Sequence, residues 1–391
     1  MAASLAEAAA RPAVAADRAA AAIPTYLKAL LFASTSIIVG ILWDISWHRT
    51  IGRDTFWSPP HIGIYLGAVI AGLASAAVIF RTTLAGSAAE RAAGVRMWGL
   101  VGPLGAFFCG WGAGAMLVSA PFDDWWHNTY GLDTKVLSPP HVVLIVGIIF
   151  IQVGAMITAL ALQNREGATA APGRAYCYAA GLLLIMAGVF VSEHTHRVLS
   201  HSSIYYLVTS AAFPLFLVAV ACASKLRWPA TTAAAVYMGV TLVNHWIMPL
   251  IPAEPKLGPV RQTITHMVPG SFPLLLVAPA LAMDFVRRRW TGRSTWDLAV
   301  VMGSTFFLVF LAVHWVFGEF LLSPAARNWF FHAHAVSYMT PPTSPQVRQV
   351  FVAWDKTPLQ FWRGLLMCLP LASVSAWLGL RWGGWMSRVQ R

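Results

Sequence analysis

The sequence predicts an all-α protein, a polytopic membrane helix bundle with about ten transmembrane helices arranged as five hairpins with His-rich outer loops. Two observations of composition and pattern support this class. The 391 residues are 58% hydrophobic and 11% charged, whereas a soluble chain carries about 25% charged residues. Apolar runs of about 20 residues, long enough to cross the hydrocarbon core, recur along the chain. Backbone polar groups in lipid must be satisfied within each segment, so these runs are expected to be helices.

The apolar runs divide the chain into a tail and ten spans. Residues 1–22 are rich in alanine and lack the apolar core of a signal peptide, so we expect a mobile cytoplasmic tail. The eighth span is short and interrupted by proline. The spans are placed at 26–47, 60–82, 97–120, 140–162, 175–196, 203–223, 229–251, 270–286, 297–322 and 361–385.

Basic residues are distributed unevenly between the loops on the two sides. With the tail in the cytoplasm, the inner side holds 17 of the 27 basic residues but only 6 of the 15 acidic ones. The positive-inside rule therefore accounts for nearly all of the net charge of +12, and nucleic acid is not an expected partner. We predict a multi-pass protein of the inner (cytoplasmic) membrane, in contact with the lipid bilayer, with both termini cytoplasmic.

Histidine shows a sharper asymmetry than the basic residues. On this topology all 12 histidines lie on or near the outer, periplasmic face. The four cysteines are scattered through apolar runs without a CxxC pair, which favours buried, inert thiols over a disulfide framework or a zinc finger. One side of the protein is therefore predicted to carry imidazole chemistry.

An internal repeat organises the first four of these histidines. Two segments, 44–61 and 123–141, both read D-x3-H-x3-G-x-D-T, followed after two or three residues by SPPH. Each copy joins the outer end of an odd-numbered span to the start of the next span. Nine matching positions at nearly equal spacing indicate a duplicated hairpin.

The spacing explains how each hairpin gathers polar side chains. An aspartate and a histidine four residues apart share one helix face, as Asp44 and His48 do, and as Asp123 and His127 do. Serine suits an N-cap and the following proline suits the first helical turn. The last histidine of each copy is thereby placed in the first turn of the returning helix, and these residues are His61 and His141.

Two histidines and one carboxylate form a three-ligand set that suits copper, zinc or non-haem Fe(II). The predicted metal ligands are Asp44, His48 and His61 in the first hairpin and Asp123, His127 and His141 in the second. Asp54, Asp133 and Arg53 are predicted to support them, with the aspartates accepting imidazole N–H groups or pairing with the arginine. The alternative is that SPPH only starts a helix and the Asp–His pairs only cap its neighbour.

At these residues the chain resembles the C-type subunit of the copper membrane monooxygenases, the particulate methane and ammonia monooxygenase family. That family carries a D-x3-H-x12-H copper site, and WHRTIGRDTFWSPPH reproduces its spacing here. The second hairpin matches the family's N-x3-H-x13-H site, with Asp123 in place of asparagine. The resemblance covers about residues 40–145. It implies copper as the cofactor, a monooxygenase-C-like membrane region at 23–163, and additional helices of the same bundle at 164–391.

The remaining histidines form less regular clusters near the same face. We predict an additional polar site, for metal binding or proton relay, with interfacial hydrogen bonding as the alternative. Its candidate members are Glu193, His194, His196, His201, His245 and His266.

Three functions follow from these observations. The leading hypothesis is a copper-binding membrane protein related to the C-type monooxygenase subunits, itself a copper-dependent monooxygenase or a subunit of one. It would belong to an oxygen-activating hydroxylase for a small apolar or neutral substrate. Other membrane subunits, homo- or hetero-oligomerisation and an external electron donor are then expected, since no haem, flavin or iron–sulfur motif is visible. The alternatives are a periplasm-facing copper acquisition or sensing protein, and a non-catalytic membrane subunit that docks a partner.

Overall fold

The structure is a computed structural model that describes residues 23–52, 54–131, 137–165, 170–256, 264–292, 294–326, 328, 330–331 and 355–391. The predicted tail, Arg53 and Asp133 lie outside these residues. The described chain is an all-α bundle with one short β-hairpin. Its helices are α1 Thr25–Thr50, α2 Pro59–Ala85, α3 Ala88–Ala93, α4 Leu104–Tyr130, α5 Pro139–Arg165, α6 Ala170–Val191, α7 Ser203–Ala223, α8 Pro229–Ile247, α9 Val277–Arg289, α10 Thr295–Leu321 and α11 Pro358–Met386.

Nine helices of the described chain are long and apolar enough to cross a membrane, namely all except α3 and α9. The fold class predicted from the sequence is confirmed, and the protein is a multi-pass membrane protein. One apolar core runs through both halves of the chain, from Leu27 on α1 to Met386 at the end of α11. The later helices therefore belong to the same packed unit as the repeat hairpins.

The predicted eighth span differs from a continuous helix. Residues 267–276 form no helix or strand and are mostly buried, and only the 13-residue α9 follows. Prolines at 269 and 273 explain the break, because proline lacks an N–H group and disfavours a helical residue before it. Non-helical backbone is tolerated at membrane depth when protein surrounds it.

This broken segment still reaches from one end of the bundle to the other. Near its start, the Val268 N–H donates to Thr50 Oγ1 at the end of α1, over 2.8 Å. Near its end, Asp284 accepts from the Thr231 N–H at the start of α8, over 2.9 Å. The segment is thus a tenth crossing, half irregular and half helical.

The predicted third span also begins differently. Residues Val95–Met97 (β1) and Leu100–Gly102 (β2) pair as an antiparallel hairpin, and α4 begins only at Leu104. Two glycines and a proline between 99 and 103 explain this, because they favour a turn over a helix start.

The helices of the repeat close into a ring. Within the described chain, α1 packs on α2, α2 on α4, α4 on α5, and α5 returns to contact α1. Close approach is permitted between α4 and α5 because Gly112 and Gly147 face each other. A Cβ added to Gly147 would lie 2.7 Å from the Gly112 carbonyl oxygen. Both hairpin connections consequently emerge at the same end of one four-helix bundle, called here the site end.

Candidate metal centre

The first hairpin gathers its polar groups as the spacing predicts. The side chains of Asp44 and His48 lie one turn apart on α1, with 3.7 Å between Asp44 Oδ2 and His48 Nε2. Helix α2 begins at Pro59, so His61 sits in its first turn. There His61 Nε2 lies 3.3 Å from Asp44 Oδ1.

Ser58 holds the loop in a way that the sequence did not indicate. It occupies the N-cap position of α2, but its side chain makes no capping hydrogen bond to the helix. Instead its hydroxyl accepts the backbone N–H of Thr55 over 2.7 Å. This contact folds the loop back on itself and fixes the residue before Thr55, which is Asp54.

Asp54 is itself one of the donors of the first hairpin and does not only support the other donors. Its Oδ2 lies 3.2 Å from His61 Nε2 and 3.5 Å from His48 Nε2. Ligand atoms of Asp44, Asp54 and His61 all lie within 4.8 Å of one another. The His48 side chain, 45% exposed, approaches this group from the solvent side. The structure thus offers two carboxylates and two imidazoles in the first hairpin.

The ionisation of Asp54 reflects these neighbours. Burial favours the neutral acid, but hydrogen bonds and positive charge from His48 and His61 outweigh it. The pKa of Asp54 is therefore held well below its ordinary value. This carboxylate is ionised throughout the physiological range, as a metal ligand or an acceptor for an imidazole must be.

The second hairpin repeats the geometry of the first. Asp123 Oδ2 lies 3.5 Å from His127 Nε2, and Asp123 Oδ1 lies 3.4 Å from His141 Nε2. Ligand atoms of the three residues lie within 4.8 Å of one another. Helix α5 begins at Pro139, which puts His141 in its first turn.

The ring orientation of His127 suits a ligand. Its Nδ1 lies 3.1 Å from the carbonyl oxygen of Gly131. A carbonyl oxygen only accepts, so this contact requires the hydrogen on Nδ1; in the neutral ring the lone pair is then on Nε2, the atom that faces Asp123. Gly131 adopts a φ of 87°, which favours glycine and turns its carbonyl back toward the ring.

The donor atoms fit a bound metal better than they fit hydrogen bonds to one another. Asp44 Oδ1 and Asp123 Oδ1, equivalent atoms of the two repeats, are both buried without a hydrogen-bond partner among the described residues. Each faces an imidazole nitrogen at 3.3–3.4 Å. Ligands about 2.0–2.1 Å from one ion lie roughly 2.9–3.4 Å apart at angles between octahedral and tetrahedral. The residues present therefore fit a metal.

The two donor sets share one space. A small void of about 40 Å³ is lined by residues of both, including Asp44, His61, Asp123 and His141. A larger cavity of about 440 Å³ adjoins them, and its walls include Asp54 and His127. A small molecule in this cavity could contact groups from both hairpins.

Tyr65 was not identified from the sequence, although its position one turn after His61 puts it on the same face of α2. It lines both the small void and the larger cavity. Its ring lies 6.0 Å from the His61 ring and 5.2 Å from the Phe56 ring, between their centroids. The phenol therefore faces the space between the two donor sets.

The additional polar residues separate into several contacts. His201 Nε2 lies 3.6 Å from Glu319 Oε1, and His245 Nε2 lies 3.0 Å from an Arg197 nitrogen. His266 contacts the Thr265 hydroxyl at 2.9 Å. Among the described residues, the groups of three or more donors close enough for one ion come only from the two hairpins.

The histidines between α6 and α7 lie in a cationic setting. Burial, and then the positive charge of Arg49, lower the pKa of His196, while Glu193 acts weakly in the opposite direction. His194 adds to the lowering.

Comparisons of the chain with protein-family models, with curated proteins and with solved structures found no match.

Proposed function

We propose that this membrane protein binds copper in its two repeat hairpins and belongs to an oxygen-activating hydroxylase, as the enzyme or as one of its subunits. The observation that carries this proposal is the paired geometry of the hairpins. Two copies of one Asp-His-His pattern place equivalent donor atoms around a shared void. A pattern whose only role is to start helices would not require the aspartate of each hairpin to face the two imidazoles of that same hairpin.

The residues have distinct parts in this proposal. One ion would be held by Asp44, His48 and His61, and the other by Asp123, His127 and His141. Asp54 would either bind the ion of the first set directly or orient the imidazoles of that set. Bound copper would supply a redox-active ion able to activate oxygen. Copper is favoured over zinc and iron by the resemblance of residues 40–145 to the C-type subunit of the copper monooxygenases. Electrons would come from an external donor.

The adjoining cavity supports a small substrate. Its volume of about 440 Å³ lies toward the lower end of the range for ligand pockets, about 300–1,000 Å³. Phe56, Tyr65 and Ala120 give it apolar walls, while Asp124 and Asn128 give it polar ones. This mixture suits a small neutral molecule better than a long hydrocarbon chain.

Copper content of the detergent-purified protein tests the proposal. Wild type is compared with the pairs Asp44→Ala/His48→Ala and Asp123→Ala/His127→Ala by elemental analysis and EPR. We expect each pair to remove the copper of its own hairpin. His266→Ala, at an exposed histidine outside both hairpins, is the matched control and should retain full copper.

Other outcomes assign other functions. Zinc or iron lost in the same pattern would keep the sites and discard copper chemistry. Absence of any metal after copper loading would overturn the proposal and favour a membrane protein that docks a partner.

Copper acquisition is the second candidate, favoured by the 45% exposure of the His48 side chain. An exposed ligand allows an ion to be exchanged with a donor or a chelator. Rapid transfer of the bound copper to a soluble chelator, without oxygen consumption in the presence of a reductant, would support acquisition over hydroxylation.

A further inference from the structure

The end of the bundle opposite the site end carries a strained turn. Met97 and Leu100 are paired across the β1–β2 hairpin, so Trp98 and Gly99 form its two-residue turn. Their φ angles are 50° and 82°. A type I′ turn requires positive φ at both positions and favours Asn-Gly. Tryptophan is unfavourable there, because a bulky side chain crowds its own backbone in the left-handed region.

Nothing within the described chain buries the tryptophan. Trp98 is 81% exposed, and its ring contacts only the exposed ring of Trp111 among described aromatic residues, at 5.5 Å between centroids. The hairpin itself is held in place, since the Val101 N–H donates to the Thr83 hydroxyl of α2 over 2.8 Å. A strained, exposed and firmly mounted aromatic residue suggests contact with something outside the chain.

The surroundings of the turn are basic. Residues 81–102 contain three arginines and one acid. That acid, Glu90, is paired with Arg81 over 2.8 Å. Arg91 and Arg96 are exposed and have no acidic partner within 81–102. Two exposed arginines within seven residues of an exposed tryptophan in the sequence are suited to a partner that has both negative charge and apolar surface.

The position of the hairpin identifies this partner. It joins two helices that can cross the membrane, α2 and α4, and so lies where the spans end. Tryptophan rings prefer the headgroup level of a bilayer, and basic residues there attract anionic lipid. We propose that the 95–102 hairpin binds the headgroup of an anionic phospholipid, with Trp98 inserted beside it and Arg91 and Arg96 facing its phosphate.

Native mass spectrometry of the full-length protein in neutral detergent tests this assignment, with phosphatidylglycerol and phosphatidylcholine as probes. We expect wild type to prefer phosphatidylglycerol. Each arginine near an anionic headgroup contributes about 1 kcal/mol, or about fivefold in affinity. Arg91→Gln/Arg96→Gln should therefore lose most of the preference. Trp98→Asn should weaken binding of both lipids.

The Trp98→Asn variant also separates lipid binding from folding. Asparagine suits the turn, so this variant should melt at the same temperature as wild type or higher, while binding lipid less. The control is Trp362→Asn/Arg363→Gln, which alters an exposed Trp–Arg pair at the site end.

Two results would overturn the assignment. One is lipid binding that survives both hairpin variants, which would leave the turn as a surface for another protein. The other is a control pair that reduces the phosphatidylglycerol preference as much as Arg91→Gln/Arg96→Gln does, which would indicate non-specific attraction.

Discussion

Replacing Asp54 with asparagine distinguishes the first donor set seen in the structure from the set indicated by the repeat. The spacing alone names Asp44, His48 and His61, whereas the structure groups Asp54 with Asp44 and His61. Asparagine keeps the size of the side chain and its acceptor oxygen but removes the negative charge. We expect Asp54→Asn to fold and to bind copper weakly in the first hairpin.

The distances give the expected size of the effect. Asp54 Oδ2 lies 3.2 Å from His61 Nε2 and 3.5 Å from His48 Nε2, so it is close enough to act on an ion bound by either imidazole. Carboxylates that orient metal-binding imidazoles typically contribute 10–100-fold in metal affinity, about 1.4–2.7 kcal/mol. Because Asp54 contacts both imidazoles, we expect a loss near the upper limit, about 100-fold.

Copper titration against a competing chelator measures this loss. Asp124→Asn is the matched control, since Asp124 lines the same cavity but is exposed and accepts a hydrogen bond from Asn128. The control should change copper affinity less than about twofold. An Asp54→Asn protein that binds copper as tightly as wild type would refute the place given to Asp54.

Three further predictions concern the cavity, the helix packing and the opposite end. Tyr65→Phe should leave the copper content unchanged. It should weaken the binding of azide to the copper-loaded protein about twofold to tenfold, because the variant loses the hydrogen bond of the Tyr65 hydroxyl and such a bond contributes about 0.5–1.5 kcal/mol. Equal azide affinity of the variant and wild type would contradict this. Gly147→Ala should force α4 and α5 apart, which should lower the free energy of unfolding by about 1–3 kcal/mol and weaken copper binding only at the second hairpin. Chemical unfolding measures the first effect, and site-resolved copper titration measures the second. Hydrogen bonding by the Ser87 backbone N–H, and then by Arg81, lowers the pKa of Glu90 below 4.5. Because the folded-state pKa is lowered, the ionised Glu90 stabilises α3 above its unfolded pKa, and this contribution is lost as pH falls through the folded value. The protection of α3 amides against hydrogen exchange, corrected for the intrinsic exchange rate at each pH, should therefore decrease as pH falls in wild type but not in Glu90→Gln.

Local spacing predicted much of each hairpin. The interval of four residues brings Asp44 onto the same face as His48, and SPPH marks the starts of α2 and α5. Both features depend on helix geometry and on proline, which act over a few residues. The repeat added support of a second kind, because the same geometry appears twice in one chain.

Features that depend on tertiary packing could not be predicted from spacing. Asp54 reaches both imidazoles because Ser58 bonds to Thr55 instead of capping its helix. Tyr65 becomes a wall of the cavity only when α4 packs beside α2. The broken tenth crossing likewise depends on neighbours that bury its non-helical backbone. In each case a short stretch of sequence contains the residues themselves, but the part of the chain that packs against them lies outside that stretch.

The closed ring of α1, α2, α4 and α5 explains why the duplicated hairpins are not equivalent. Closure places the Asp–His pairs of both hairpins beside one void, so each donor set experiences the charge of the other donor set. The described donors carry two negative charges in the first hairpin, from Asp44 and Asp54, but one in the second, from Asp123. With neutral imidazoles, the first set balances a divalent ion completely and the second balances a monovalent ion. Buried charge is costly unless balanced, so under the proposed function the two neighbouring sites would prefer ions of different charge.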